Sequence, residues 1–304
     1  MAEIEIADIQ DDDVVIVFMG PTGAGKSYFI DLLTNQQAKR AGDTLMSVTK
    51  KVQATCIQHP DNHSRIVLVD TPGFGDTTGG DALVLKLVSK WLQRTYKRGI
   101  KLSGIAYLHC ITAKRMRGST CKSLHVFGKI CGDIAANQVL LVSTMWQSTK
   151  SEDGAKKEEQ LKAEYWKPLI DAGARVDRLT LNNTSEAWRV IDNLIKQSGE
   201  RKVLLLQEEL VELEKRLKET QAGMALYATL QKSLNEQKKV LDFLRRQLEQ
   251  SENPLLVKEL REECDKIEQG LQNIYQEAEK LRIPIVRRVI TFIFGKKARA
   301  KPIM

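Results

Sequence analysis

The sequence predicts an α/β domain with a mixed six-stranded sheet flanked by helices, followed by a C-terminal coiled-coil extension. Three observations lead there. From about 14 to 197, short β-branched apolar runs alternate with amphipathic stretches, the pattern of a mainly parallel sheet with helical crossovers. The first of those runs ends in a glycine-rich turn that opens a helix. After Gly199 the composition shifts to Leu, Glu, Lys and Gln, with leucines at heptad spacing.

In chain order, strands are predicted at 14–19, 52–58, 65–70, 104–110, 138–143 and 177–182, with helices at 25–36, 80–98, 119–131, 155–172 and 184–197. Residues 1–11 form an acidic arm ahead of a domain at 12–198. The second and third strands are joined by "HPDNHS", a connection short enough only for an antiparallel hairpin; the other connections are long enough for parallel crossovers. Beyond the domain, Leu206, Leu210, Leu213 and Leu217 begin a heptad pattern that Leu234, Leu241, Leu244 and Leu248 continue. The register slips by three at Met224, Tyr227 and Leu230 beside Gly223, which predicts a bend near 222–230. "SENP" at 251–254 ends that helix, and Pro254 starts a second heptad run through Leu281. The pattern at 199–281 therefore reads as a helical hairpin, and pairing with itself or with a second chain stays open.

Composition excludes several classes. Five cysteines lie far apart with no CxxC pair, which argues against a disulfide framework or a cysteine zinc site. The N-terminus lacks the charged and apolar blocks of a secretory signal, and no apolar run reaches the roughly 18 residues of a spanning helix. A cytoplasmic protein is expected. The formal charge of +8 is local: residues 282–304 carry seven Lys or Arg and no acid, leaving +1 for residues 1–281. The basicity thus belongs to a tail, and nucleic-acid binding by the body is not expected.

The chemistry is carried first by "GPTGAGKS". It matches GxxxxGK[ST] in full, after an apolar strand and before a helix. Small residues let successive backbone N–H groups face an anion, and the following helix adds its positive end. Gly20, Pro21, Thr22, Gly23, Ala24 and Gly25 form the expected phosphate cradle, extended by Tyr28; Lys26 reaches the terminal phosphates and Ser27 ligates Mg²⁺. The third strand ends in "VDTPGFGD", a DxxG pattern in which Asp70 holds Mg²⁺ through water and the Gly73 amide senses the γ-phosphate. Between them, "SVTKKVQ" offers Thr49 as a hydroxyl that completes the Mg²⁺ shell in the triphosphate state, with Thr44, Ser47 and Thr55 as rivals.

Together these stretches resemble the immunity-associated GTPase (IMAP) family and its relatives, the septins and the chloroplast import receptor GTPases. They are closer still to fungal G-domain proteins that carry "TTMW" in place of the usual base-reading motif. The resemblance covers about 14–197. It implies a Ras-like P-loop GTPase fold, GTP or GDP with Mg²⁺, slow intrinsic hydrolysis and, in many relatives, nucleotide-dependent dimerisation.

Two departures from the family pattern follow. At the position of [NT]KxD stand Thr144, Met145, Trp146 and Gln147. Gln147 offers one neutral carbonyl where the family has a carboxylate, so guanine selectivity is expected to be weaker or built differently, and nucleotide promiscuity or ATP use stays open. Trp146 has two readings, stacking on the base or packing in the core. The last base-side segment maps to "LNNTSEAW", where the backbone of Asn183 or Thr184 faces the base. After DTPG, Phe74 stands where many GTPases place a water-orienting glutamine. Catalysis then falls to Lys26, Thr49, Gly73 and a charge such as Arg117 or Arg115, with Asp76 and Thr77 as other polar candidates. A homodimer or oligomer through the domain or the helices is expected, and what is missing comes from elsewhere in the chain or from that second subunit.

The tail "RIPIVRRVITFIFGKKARAK" sets an apolar face between basic flanks, as an interfacial helix on an anionic membrane would, although packing on the body gives the same pattern. The function expected is a slow, Mg²⁺-dependent GTPase acting as a dimerising switch; the alternative is a non-hydrolysing nucleotide-bound scaffold.

Overall fold

A computed structural model of the chain describes residues 2–36, 51–75, 80–113, 116, 118–196, 201–251 and 253–281. The chain divides into two compact units, Met1–Lys215 and Arg216–Met304.

The first unit is built on seven strands: β1 (Ala2–Ile4), β2 (Val14–Met19), β3 (Gln53–Gln58), β4 (Arg65–Asp70), β5 (Gly104–Cys110), β6 (Val139–Thr144) and β7 (Arg175–Arg178). Their order in the sheet is β1-β3-β4-β2-β5-β6-β7. β3 runs antiparallel to β4 as the short connection requires, and β4, β2, β5, β6 and β7 are parallel. One strand more than expected is present: Ala2–Ile4, in the stretch read as an acidic arm, pairs antiparallel with β3, Ala2 opposite Cys56 and Ile4 opposite Ala54. Three residues, one of them acidic, are too short to show a strand period, and backbone pairing to an open edge is what orders them.

Helices α1 (Lys26–Leu33), α2 (Asp81–Lys97), α3 (Gly118–Cys131), α4 (Ser151–Gln160), α5 (Lys167–Asp171) and α6 (Thr184–Lys196) cover both faces. This is why β2 and β4 to β6 read as nearly unbroken apolar runs rather than alternating ones. On one face, Ile16, Phe18, Ala106, Leu108, Leu140 and Val142 pack with Phe29 and Ile30 of α1 and with Val190, Ile191 and Leu194 of α6. On the other, Tyr107 meets Phe127 of α3 with ring centroids 4.5 Å apart. The single helix expected at 155–172 is instead three pieces. A π turn, Leu161–Tyr165, separates α4 from α5, and the Trp166 N–H donates to Leu161 O at 2.7 Å, five residues back. The extra residue buries Trp166 completely.

The first unit also extends past the expected boundary at 198. A short helix, α7 (Leu205–Gln207), and a π turn, Glu208–Glu212, belong to it. Leu204 and Leu206 are buried; the Gln207 amide donates to Leu92 O at 3.3 Å and the Gln93 amide to Leu210 O at 3.3 Å, fixing the segment on α2. The leucine spacing at 206–213 therefore serves the domain itself and does not open the helical hairpin.

In the second unit, α8 (Gln221–Gln250) and α9 (Pro254–Leu281) lie side by side across a three-residue connection. Leu241, Leu244 and Cys264 form their buried seam with Leu260, Ile267 and Leu271, and Arg245 pairs with Glu268 at 2.7 Å. The bend expected near 222–230 is absent, since α8 runs unbroken from Gln221. Gly223 falls in its first turn, where its N–H is capped by the Thr220 hydroxyl at 3.1 Å and a Cβ would meet Leu217 O at 2.1 Å. Among the described residues no helix is long and apolar enough to cross a membrane.

Candidate phosphate-binding site

The turn after β2 is shaped by glycine. Gly20, Gly23 and Gly25 have φ of 136°, 80° and 87°, which side chains rarely tolerate. Gly25 is the N-cap of α1 and no side chain caps that helix, so its first N–H groups face the mouth of the turn. Beneath the turn, Gly20 lies so close to β5 that a Cβ on it would sit 2.3 Å from Leu108 O.

Lys26, the first residue of α1, folds back over the loop. Its Nζ donates to Gly20 O at 3.1 Å and Pro21 O at 3.0 Å, and the residue is buried. Burial pushes its pKa down to about 8, against the pull of the nearby Asp70 carboxylate. The group is a cation held short of neutralisation, with its charge directed at the loop where an anion would enter.

The second motif is stitched to the first. Thr22 N–H donates to Phe74 O at 3.0 Å and Phe74 N–H to Gly20 O at 3.3 Å, a parallel bridge between the cradle and the segment after β4. Gly73 sits directly against Thr22: a Cβ on it would lie 2.6 Å from both the Thr22 nitrogen and Cα. Ser27 Oγ donates to Asp70 Oδ2 at 2.7 Å, and Thr71 Oγ1 to Phe18 O at 2.7 Å, so the ends of β2 and β4 are tied on both sides. A hydroxyl and a carboxylate in contact are hard oxygen donors suited to a small divalent cation. Among the described residues no group of three or more His, Cys, Asp or Glu could hold a metal. A cation at Ser27 and Asp70 therefore needs further oxygens, from water, a bound phosphate or another hydroxyl.

Phe74 is 1% exposed. The position read as that of the water-orienting group thus contributes backbone to the bridge and a side chain to the core. Thr144 serves the cradle as well, since its hydroxyl donates to Ala24 O at 2.9 Å. Its neighbours separate: Met145 takes a left-handed conformation with φ 63°, Gln147 is exposed, and Trp146 is buried. The indole N–H of Trp146 donates to Ser143 O and Oγ at 3.2 and 3.0 Å, which is the core-packing reading and removes the ring as a stacking surface for a base. The Asn183 side chain accepts the Glu186 N–H at 2.8 Å, capping α6, and Thr184 is the first residue of that helix. Thr49, Asp76, Thr77, Arg115, Arg117 and the tail 282–304 lie outside the described residues. Ser143, Glu158 and Arg178, which hold Trp146, carry no local sequence signal, because they meet only through the fold.

Residues 15–130 match the family model described as "50S ribosome-binding GTPase". No curated protein matches the chain. Solved structures similar to it include Toc33 from Arabidopsis thaliana in complex with GDP and Mg²⁺, at 14% identity over 64% of this chain and 87% of that one, with a TM-score of 0.49. Another is Toc33 with Mg²⁺ and GMPPNP, at 16% identity, 64% and 88% coverage and a TM-score of 0.47. Era from Aquifex aeolicus bound to GDP and AlF₄⁻ matches at 12% identity, 63% and 58% coverage and a TM-score of 0.44. With the mixed sheet, the glycine-rich turn entering α1 and the DxxG segment bridged to it, and with residues 15–130 matching that GTPase family model, the first unit has the Ras-like P-loop fold.

Proposed function

We propose that the chain is a Mg²⁺-dependent GTP-binding protein that hydrolyses GTP slowly and works as a nucleotide-driven, dimerising switch of the kind found in the IMAP and septin-like GTPases. The observation that carries this reading is the bridge between Thr22 and Phe74. It places the Gly73 backbone against the cradle, so that a γ-phosphate has to contact both motifs at once. Lys26 exchanges its two loop carbonyls for phosphate oxygens, a stronger charge-assisted pairing. Ser27, and Asp70 through water, would hold Mg²⁺, which would supply positive charge against the phosphates. The core position of Phe74 leaves water positioning to another polar group such as Asp76 or Thr77, and an arginine such as Arg115 or Arg117, supplied within the chain or by a second copy, would neutralise transition-state charge.

The same burial of Phe74 favours a second reading, a non-hydrolysing scaffold whose work is done by the α8–α9 pair and by the basic residues 282–304 at an anionic membrane surface. Single-turnover hydrolysis of GTP across a range of protein concentrations separates the two. The switch requires a rate that rises with concentration; no phosphate release at any concentration leaves only the scaffold. Competition by ATP and XTP, measured alongside, tests the guanine assignment, and equal affinity for GTP and ATP would make this a promiscuous P-loop nucleotide-binding protein.

A further inference from the structure

The loop Thr144–Gln147 contains no carboxylate to read a base, yet Trp146, next to the exposed Gln147, is fastened by a buried ionic network. Glu158 of α4 is 1% exposed. Its Oε1 accepts the Ser143 hydroxyl at 2.8 Å, and its Oε2 accepts Arg178 Nε at 2.9 Å with a second bond from Arg178 Nη2. Lys162 Nζ lies 3.2 Å from the same carboxylate. Burial alone would raise the Glu158 pKa, but the bonds from Arg178, Ser143 and Lys162 outweigh it and hold the group below its ordinary value, as a carboxylate. Ser143 passes the network on, for its hydroxyl accepts the Trp146 indole N–H at 3.0 Å. The Arg178 guanidinium then lies over the Trp146 ring, 4.4 Å from its centroid. The ring also abuts α4, where a Cβ on Gly154 would sit 2.7 Å from Trp146 Cζ3.

Trp146 stands between Met145 and Gln147, so anchoring it fixes the left-handed turn at Met145 and the direction in which Gln147 leaves the sheet. On the cradle side the loop is fixed by Thr144 and Ala24. We propose that Arg178 and Glu158 are positioning residues for base recognition, holding the loop so that the neutral amide of Gln147 meets the nucleobase at a fixed place. The inference rests on the reading of the chain as a GTP-binding protein. An amide offers one donor and one acceptor side, which matches the N1–H and O6 edge common to guanine and hypoxanthine and leaves the guanine 2-amino group unread. Selectivity in this site comes from placement, where a charged reader would supply it by attraction.

The test compares Mg²⁺ complexes of GTP, ITP and inorganic tripolyphosphate bound to the full chain and to two variants. Arg178→Lys keeps the charge but loses the fork and the stacked plane; Glu158→Gln keeps the shape but loses the charge. In the parent, GTP and ITP are expected to bind within a fewfold of one another. In either variant GTP affinity is expected to fall about tenfold while tripolyphosphate affinity holds, because only the base contact depends on the loop. The proposal is overturned if both variants keep the parental ratio of GTP to tripolyphosphate affinity, whether both affinities hold or both fall together. If the parent binds tripolyphosphate but none of the nucleotides, the GTP reading itself falls. Arg178→Lys, with a partly exposed side chain, is the variant that decides should Glu158→Gln fail to fold.

Discussion

Lys26→Met is expected to move two properties in opposite directions: the nucleotide-free protein becomes more stable, and nucleotide binding falls by about 10²-fold or more. Both follow from one feature, a buried ammonium whose pKa is about 8 against an ordinary 10.5. Below pH 8 the lysine is charged in the folded and unfolded chains alike, and folding bears the full cost of burying the charge, on the order of 3 kcal/mol. Between 8 and 10.5 the unfolded chain holds the proton and the folded one has released it, so stability of the parent rises with pH. Above 10.5 both are neutral and the cost is gone. The variant has no such term, so its advantage is largest below pH 8 and fades by 10.5. Loss of the bonds to Gly20 O and Pro21 O offsets part of the gain, though Gly20 O keeps the Phe74 N–H. Chemical denaturation without nucleotide at pH 7 and pH 10.5, with nucleotide titrations in parallel, checks both signs. A less stable variant at pH 7, or unchanged nucleotide affinity, refutes the account. The same argument makes binding take up a proton above pH 8, since phosphate oxygens raise the Lys26 pKa on contact.

Gly20→Ala is expected to cost about 3–5 kcal/mol, a large share of the stability of a domain this size. Two penalties coincide. A φ of 136° is a region that alanine enters only with strain of about 1–3 kcal/mol, and the new methyl would lie 2.3 Å from Leu108 O and 3.2 Å from Leu108 N. The neighbour cannot retreat, because Leu108 belongs to β5, paired with both β2 and β6, and its side chain lies in the core. Gly23, with φ 80° and nothing within 4 Å of a Cβ, is the matched control. Gly23→Ala bears only the strain. Thermal unfolding of the two variants beside the parent separates the terms; equal melting temperatures for Gly20→Ala and Gly23→Ala would show that the contact with β5 carries no weight.

The parts of the site that were legible in the sequence are those written in consecutive residues. "GPTGAGKS" and "DTPG" specify backbone conformations and the ends of particular strands, and the structure places them in contact at the ends of β2 and β4. Strands β2, β4 and β5 fall at the residues their apolar runs mark, since burial on both faces leaves no ambiguity of period. What stayed hidden was set by distance or by shared periodicity. Ser143, Glu158 and Arg178 are separated by 15 and 20 residues and acquire meaning only when α4 and β7 come together beside Trp146. The leucines at 206–213 show why heptads mislead at a domain edge: a helix facing its own domain and one facing a partner helix need the same stripe. At Phe74 the sequence shows that the water-orienting glutamine is missing but not where the ring goes, because whether a residue after DxxG points outward or into the core depends on packing with no local signature.

The three residues of β1 alter how the protein meets its neighbours in a crowded solution. A sheet of parallel strands ending in a hairpin would leave the outer side of β3 as a row of unpaired backbone groups, an invitation to any extended chain. Ala2, Glu3 and Ile4 occupy that row, and Glu3 faces solvent beside Lys51 at 3.6 Å. A short strand carrying charge is a poor template for another. β1 therefore acts as a hem on the sheet, replacing the long edge of β3 with a short, charged one.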